Sequence, residues 1–219
     1  MIFVNFKTYE QGTGESAVAL VKVLEQVALD SEVKIIPVLQ PADVKEAVEN
    51  CRLEIWVQHI DPVTFGAHTG FTLPEAVFED GAMGTFLNHS EHKFEDFNDL
   101  KSASERAKKV GLKTLTFAAD INELERILTL APTFVAYEPP ELVGSKETSV
   151  AKSKPDVIAK AVEVTRKVGI PLVVGAGIKD KQDVRKSIEL GAVGVAVASD
   201  IVKSEDARRE ILELIEGLK

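Results

Sequence analysis

Three side chains suited to acid–base chemistry follow short apolar runs of the sequence: Lys7, His89 and Glu138. Lys7 stands two residues after Asn5, so on an extended chain both side chains point to the same face. A buried ammonium group must be offset by an anion, because an unpaired buried charge is very costly. The sequence leaves two sources open for that anion, a neighbouring carboxylate or the phosphate of a ligand.

His89 and Glu138 each stand where an apolar run ends. A histidine at a strand end is either a hydrogen-bonded structural residue or a group that acts on a ligand. Glu138 is followed by Pro139, which biases Glu138 away from the helical region and stiffens the chain. This pattern fits either a solvated carboxylate at the start of a loop or a general base beneath a mobile loop. Gly144 could serve as a hinge in that loop.

Two glycine-rich or small-residue turns lie near the end of the chain, at 175–178 (Gly-Ala-Gly-Ile) and 198–200 (Ala-Ser-Asp). Each leads into a helical pattern, and such turns expose backbone N–H groups at helix N-termini. Since two adjacent units carry them, the sequence predicts a phosphate site there. No set of histidines, Cys51 and carboxylates has the spacing of metal ligands, so we predict neither a metal nor a cofactor.

The elements that must position these residues are eight Val/Ile/Leu-rich runs, each followed by a helical pattern. The runs are nearly continuous in apolar residues, which is typical of parallel strands covered on both faces. Eight units of about 27 residues are near the lower limit for a closed barrel, and a doubly wound sheet usually needs fewer repeats. We therefore predict an α/β fold, one (β/α)8 TIM barrel domain over residues 1–219. The predicted strands are Ile2–Phe6, Val33–Leu39, Ile55–His59, Met83–Asn88, Lys113–Ala118, Thr133–Tyr137, Pro171–Gly175 and Val193–Ala198.

Local signals also predict where several helices begin. The first helix is expected from about Ser16 and the second from Pro41, because proline suits the first helical turn. Capping-box spacing precedes the third helix at 72–75 and the fifth at 120–123. Pro155 is expected to begin the sixth.

The composition excludes several classes of protein. With 45% hydrophobic residues the chain can bury a full core, and its net charge of −9 makes it a poor partner for nucleic acid or an anionic membrane. One cysteine excludes an intramolecular disulfide framework. The N-terminus lacks a basic run before an apolar stretch, and no apolar run is long enough to span a bilayer. We expect a cytoplasmic protein.

Four segments occur in an order that resembles the triosephosphate isomerases: 5–8 (Asn-Phe-Lys-Thr), 88–91 (Asn-His-Ser-Glu), 137–144 (Tyr-Glu-Pro-Pro-Glu-Leu-Val-Gly) and 175–178 (Gly-Ala-Gly-Ile). Segments 58–61 and 66–70 are similar to that family's third strand and third loop. Together they cover essentially the whole chain. The short length and the sequence of 138–144 resemble the archaeal branch of the family.

This resemblance implies a cofactor-independent isomerase of dihydroxyacetone phosphate and D-glyceraldehyde 3-phosphate, with an enediol intermediate. Glu138 would shuttle the proton between the two carbons, and His89 would be the neutral electrophile. Lys7 would supply positive charge near the phosphate and the developing oxyanion, and Asn5 would lie beside the carbonyl. The substrate-binding residues it implies are Asn5, Phe6, Lys7, Val143, Gly144, Gly177, Ala198 and Ser199.

Two other functions stay open on the residues alone. Another phosphosugar enzyme on the same barrel would explain the phosphate turns but not the joint presence of Lys7, His89 and Glu138. A non-catalytic metabolite-binding barrel would bind phosphate without turnover.

The third loop predicts self-association. Phe65 and Phe71 lie in a glycine-containing loop and would form an apolar protrusion unless a partner buries them. In the resembled family this loop docks into a neighbouring subunit, which implies a homo-oligomer, with a tetramer favoured over a dimer. The alternative is a loop folded onto its own barrel.

Overall fold

Eight parallel strands close into a barrel in chain order, β1 to β8, with β8 paired to β1. The computed structural model describes residues 1–138, 155–175 and 177–219. The predicted fold class is confirmed, and most predicted strands are one or two residues too long. The strands are β1 Ile2–Asn5, β2 Ile35–Leu39, β3 Trp56–Val57, β4 Gly84–Leu87, β5 Lys113–Ala118, β6 Phe134–Tyr137, β7 Leu172–Val174 and β8 Gly194–Val197.

The third strand departs most from the prediction, since it spans two residues where five were expected. Its flanking residues still bond to neighbouring strands. The Met83 N–H donates to the Ile55 carbonyl at 2.8 Å, and the Gln58 N–H donates to the Leu39 carbonyl at 2.9 Å. Ile55 is also fully buried. The apolar run therefore marks burial over its whole length, while regular pairing occupies only its centre.

Alternation along the strands divides the apolar residues between two cores. In β1, Phe3 points into the barrel, while Ile2 and Val4 pack in the layer between the barrel and the helices. Phe3, Trp56 and Phe86 are aromatic residues of the inner core, and the Phe3 and Trp56 rings meet edge to face with centroids 5.2 Å apart. The interior is thus filled by side chains and leaves its mouth free for chemistry.

The amino-terminal end of the barrel has its own polar anchor. The Trp56 indole N–H donates to Glu54 Oε1 at 2.9 Å. The same carboxylate accepts from Lys34 Nζ at 2.6 Å and from Lys113 Nζ at 2.9 Å. Because these residues adjoin strands β2, β3 and β5, this group of side chains joins the barrel across several strands at the end opposite the carboxyl-terminal mouth.

Helices follow the strands and cover the outside of the barrel. The predicted start at Pro41 is confirmed, the first helix begins one residue before Ser16, and a helix begins at Pro155 as predicted. Their bounds are α1 Glu15–Ser31, α2 Pro41–Asn50, α3 Pro74–Glu79, α4 Phe97–Val110, α5 Ile121–Leu128, α6 Pro155–Val168, α7 Lys181–Glu189, α8 Ser199–Val202 and α9 Ala207–Glu216, with a short 3-10 turn at Glu10–Gly12.

One of the two predicted capping boxes is wrong. Helix α3 begins at Pro74 after Leu73, whose side chain cannot accept a hydrogen bond. The Thr72 N–H instead donates to Asp61 Oδ2 at 2.6 Å, and its carbonyl accepts from the Asp61 N–H at 3.0 Å. Thr72 therefore closes the third loop, and the proline at the first helical position removes the need for a cap there.

The cap of α5 is confirmed for its first half. Asp120 Oδ1 accepts from the Glu123 N–H at 2.8 Å. The Glu123 carboxylate does not return to Asp120 but accepts from the Ala119 N–H at 2.7 Å. The third residue of this helix is therefore attached to the turn that precedes it.

The third loop is exposed on this chain, as the oligomer prediction requires. Phe65 is 72% exposed and Phe71 is 54% exposed.

Among the described helices, none is both long enough and apolar enough to cross a membrane.

Candidate active site

The predicted site residues meet at the mouth of the barrel, where the carboxyl ends of the parallel strands converge. A cavity of ≈ 740 Å³ lies there, and a neighbouring cavity of ≈ 790 Å³ shares five of its lining residues. Predicted residues that line the first cavity are Asn5, Lys7, His89, Glu138, Gly177, Ala198 and Ser199.

Of the other three predicted residues, the structure places one away from the cavity and does not describe two. Phe6 is fully buried and packs in the outer core, and it is not among the described residues that line either cavity. It follows Asn5, whose side chain faces the mouth. Val143 and Gly144, with the rest of the loop at 139–154, lie outside the described residues.

Lys7 reaches the cavity from a turn and not from a strand. Strand β1 ends at Asn5, and Lys7 has a left-handed φ of +48°. Its N–H donates to Asn5 Oδ1 at 3.0 Å, so the Asn5 side chain holds the turn that aims Lys7. Its Nζ lies 2.6 Å from Glu91 Oε1. Of the two anions that the sequence left open, this structure has the neighbouring carboxylate.

The hydrogen bonds of His89 define which ring nitrogen carries the proton. The Glu91 N–H donates to His89 Nδ1 at 3.2 Å, which makes Nδ1 an acceptor. A neutral ring must then carry its proton on Nε2. His89 is buried, and this burial lowers its pKa to about 4, against an opposing effect of the Glu91 charge. At neutral pH His89 is therefore a neutral imidazole that donates from Nε2.

Glu138 stands opposite that donor. Its Oε2 lies 3.5 Å from His89 Nε2 and accepts from Ser90 Oγ at 2.8 Å. Glu138 is 5% exposed, and burial raises its pKa to about 7, although the Ser90 hydroxyl and the Lys7 charge oppose that rise. A carboxyl group with this pKa can both take and return a proton near neutral pH.

Gly175, at the end of β7, leaves room for this carboxylate. A Cβ at this position would lie 3.3 Å from Glu138 Oε1 and 3.4 Å from Phe117 Cε1. The first of these contacts is tight, so the Glu138 carboxylate would have to shift by a few tenths of an ångström. The glycine is therefore useful to the site for its lack of a side chain as well as for its turn.

The predicted phosphate turns face the same cavity. Gly177 has a left-handed φ of +66°, and α8 begins at Ser199 directly after Ala198. The first N–H groups of a helix have no acceptor within the helix, which suits them to an anion. Lys179 and Lys203 also line the cavity and add positive charge near these turns.

Two residues that touch the site were not predicted to do so, Ser90 and Glu91. Both stand in the 88–91 motif, but their partners are Glu138 and Lys7, which lie 48 and 84 positions away in the chain. The only sequence signal for them is their place next to His89 at a strand end. Within the described residues, no group of three or more histidine, cysteine or carboxylate side chains could hold a metal ion.

The fold and the site together define a (β/α)8-barrel enzyme with an imidazole and a high-pKa carboxyl group at its mouth. Comparison with known proteins gives the family. The family model described as triosephosphate isomerase matches residues 1–217. The chain belongs to the triosephosphate isomerase family, and it is thus an isomerase.

Relatives named triosephosphate isomerase match over almost the whole chain, and many come from archaea. The protein from Methanobacterium bryantii is 38% identical over 217 residues, which are 98% of this chain and 95% of the relative. That from Metallosphaera sedula is 37% identical over 99% of this chain and 95% of its own. That from Methanocaldococcus jannaschii is 34% identical over 98% of both chains.

Proposed function

We propose that this chain interconverts dihydroxyacetone phosphate and D-glyceraldehyde 3-phosphate through an enediol, without a cofactor. One observation carries the proposal: Glu138, whose pKa is about 7, faces the neutral imidazole of His89. The distance from Glu138 Oε2 to His89 Nε2 is 3.5 Å. The family membership of the chain supports the choice of substrate.

Glu138 is the base in this proposal. Its carboxylate removes a proton from the carbon next to the carbonyl and returns that proton to the neighbouring carbon. Because its pKa is raised toward neutral pH, the group is basic enough to take the proton and acidic enough to give it back. Burial of the carboxyl group is the largest cause of this raised pKa.

His89 is the electrophile. Its Nε2–H donates to the carbonyl oxygen where negative charge develops, and the proton passes between the two oxygens of the enediol. The Glu91 N–H on Nδ1 supports this role, since it holds the ring in the donating tautomer. A donor that is already oriented stabilises the developing charge without reorganisation.

Lys7 and Asn5 bind beside the reacting carbons, and the turns at Gly177 and Ser199 take the phosphate. Val143 and Gly144 belong to the proposed lid and contribute phosphate contacts when it closes. Closure excludes water, which strengthens each charge interaction and protects the enediol from losing phosphate. The net charge of −9 opposes a dianionic substrate, so capture depends on local focusing by Lys7 and by the N–H groups of these turns.

The exposed third loop supports a homo-oligomer, and the resemblance to the archaeal branch of the family favours a tetramer over a dimer. Phe71 lines the second cavity of the same chain, as do His59 and Gln58. A second copy seated there would cover both the phenylalanine rings and one side of the site.

We place the enzyme in the cytoplasm.

The first experiment is a coupled assay of the purified chain with glyceraldehyde 3-phosphate, with a chelator and no added cofactor. We expect rapid formation of dihydroxyacetone phosphate. Glu138→Gln should lower kcat by roughly 10²–10⁴-fold, the usual range for a positioned base. The matched control is Glu125→Gln, an exposed residue of α5.

Each alternative function predicts another result. A phosphate-binding barrel without chemistry would bind a phosphate ligand and show no turnover. Another phosphosugar enzyme would turn over a different substrate. Wild-type kcat in Glu138→Gln would remove Glu138 as the base.

A further inference from the structure

The loop that carries His89 is fastened to the next strand–helix turn by one carboxylate. His89 lies in the β4–α4 loop, and its Nδ1 bond to the Glu91 N–H depends on the path of the backbone there. Whatever fixes this path also fixes the direction of Nε2–H. The residue at the start of the loop, Asn88, is in the left-handed region with φ +59°, which asparagine tolerates when its side chain is bonded locally.

The Asn88 side chain closes the loop on itself and joins it to β5. Its Oδ1 accepts from the Phe94 N–H at 3.3 Å, which links the two ends of the loop. Its Nδ2 donates to the Phe117 carbonyl at 3.0 Å and to Glu123 Oε1 at 2.9 Å. Asn88 is buried, so these bonds are shielded from water.

Glu123 is the point where this set of bonds meets. Its Oε2 accepts from the Ala119 N–H at 2.7 Å, while Oε1 accepts from Asn88. Lys93 Nζ, near the far end of the loop, lies 2.7 Å from Oε1 and 3.0 Å from Oε2. The carboxylate therefore holds both the start and the end of the His89 loop against the β5–α5 turn.

We propose that Glu123 is a positioning residue for the electrophile His89, acting through Asn88 and Lys93. Glu123 is not among the described residues that line the cavity, so it has no contact with substrate of its own. The inference rests on the proposed function, since it assigns a means of holding that function's electrophile. It predicts an effect on the chemical step with little effect on substrate affinity.

Glu123→Gln tests this with almost no change in size. Both carboxylate oxygens face donors, Asn88 and Lys93 on one side and Ala119 and Lys93 on the other. In either orientation the amide NH₂ must face a donor, so one of the bonds is lost. A small displacement of a reacting group can cost about 10²-fold in rate, so we expect kcat to fall about 10- to 100-fold while KM stays within about twofold.

A second measurement separates positioning from general loss of structure. In ¹⁵N NMR of histidine-labelled protein, wild-type His89 should show a single tautomer protonated on Nε2. Glu123→Gln should show a mixture of tautomers or an exchange-broadened signal. Glu125→Gln, on the exposed face of the same helix, makes the same charge change and should alter neither kcat nor the spectrum.

If Glu123→Gln does not fold, Lys93→Met removes one donor from the same carboxylate and leaves those from Asn88 and Ala119. We expect a smaller fall in kcat with the same change in the His89 spectrum. Three results would overturn the proposal. They are an unchanged kcat in these variants, a loss of kcat/KM that comes only from a higher KM, and a lower kcat with an unchanged His89 spectrum. Isomerase activity of the wild-type chain is measured in parallel, and only its absence counts against the proposed function.

Discussion

The hydrogen bond from Ser90 to Glu138 provides a sharp test of how the pKa of the proposed base is set. Burial raises the pKa of Glu138 to about 7, and the Ser90 hydroxyl opposes that rise because it donates to the charged carboxylate. Ser90→Ala removes this donor, while the Ser90 backbone N–H, which also lowers the pKa, stays. The pKa of Glu138 should therefore rise further.

The size of the effect follows from the hydrogen bond. A hydrogen bond to a charged group contributes about 1.5–3 kcal/mol, and about 1.4 kcal/mol corresponds to one pKa unit. We take the lower end, because Ser90 is only partly buried. Glu138 is about half ionised at pH 7 in the wild type, and with a pKa about one unit higher roughly a tenth would be ionised. We expect kcat/KM at pH 7 to fall about fivefold, and the loss to disappear at high pH.

The assay is kcat/KM measured from pH 5.5 to about 9.5, since this parameter reports the pKa values of the free enzyme. The substrate phosphate also titrates, with a pKa near 6, but it does so equally in both proteins. Ser104→Ala is the matched control, because Ser104 is buried and its hydroxyl has no hydrogen-bond partner among the described residues. A loss in Ser90→Ala that is the same at every pH, or an unshifted profile, would refute this account of the pKa.

Three further predictions follow from the same geometry. A carboxyl group whose pKa is raised on folding stabilises the folded state at low pH and loses that contribution as pH rises, here from 4.5 to about 7. Glu138→Gln should therefore be up to about 3 kcal/mol more stable than wild type at pH 8 and nearly equal at about pH 4. Urea unfolding at one fixed protein concentration measures this, and equal stability at both pH values would contradict it. Lys7→Met should weaken a phosphate-bearing competitive inhibitor at least about tenfold, since a charge-assisted hydrogen bond contributes about 1.5–3 kcal/mol, whereas Lys109→Met on the exposed face of α4 should not; an unchanged inhibition constant would remove Lys7 from the site. Light scattering at micromolar concentration should give the mass of a homo-oligomer that Phe71→Asp dissociates and that Leu29→Asp, at a more exposed apolar site on α1, does not; a wild-type monomer would exclude the oligomer.

The barrel was predictable because its determinants are local. Each strand is a run of apolar residues and each following helix has its own start, as at Pro41, so order and type of the elements can be predicted without knowing contacts. Local rules failed where a distant residue supplied the hydrogen bond. Thr72 has capping-box spacing, but Asp61 occupies its backbone groups, and the helix begins at Pro74 instead.

The same distinction applies to the site. His89 and Glu138 could be chosen from residue type and position at a strand end. The spacing of Asn5 and Lys7 suggested one face of a strand, but Lys7 lies in a left-handed turn beyond the strand and reaches the mouth by that route. The partners that tune these groups could not be predicted, because Glu91 meets Lys7 only when β1 and β4 share one barrel mouth.

Trp56 gives this protein a built-in optical probe. It is the only tryptophan of the chain, it is fully buried in the inner core, and its indole N–H is bonded to Glu54 at the end of the barrel remote from the site. Its fluorescence emission therefore moves to longer wavelength when water enters the barrel, and tyrosine and phenylalanine do not obscure that change. Substitutions at the mouth leave the indole's surroundings in place, so a single emission spectrum separates a variant that has lost its chemistry from one that has lost its barrel.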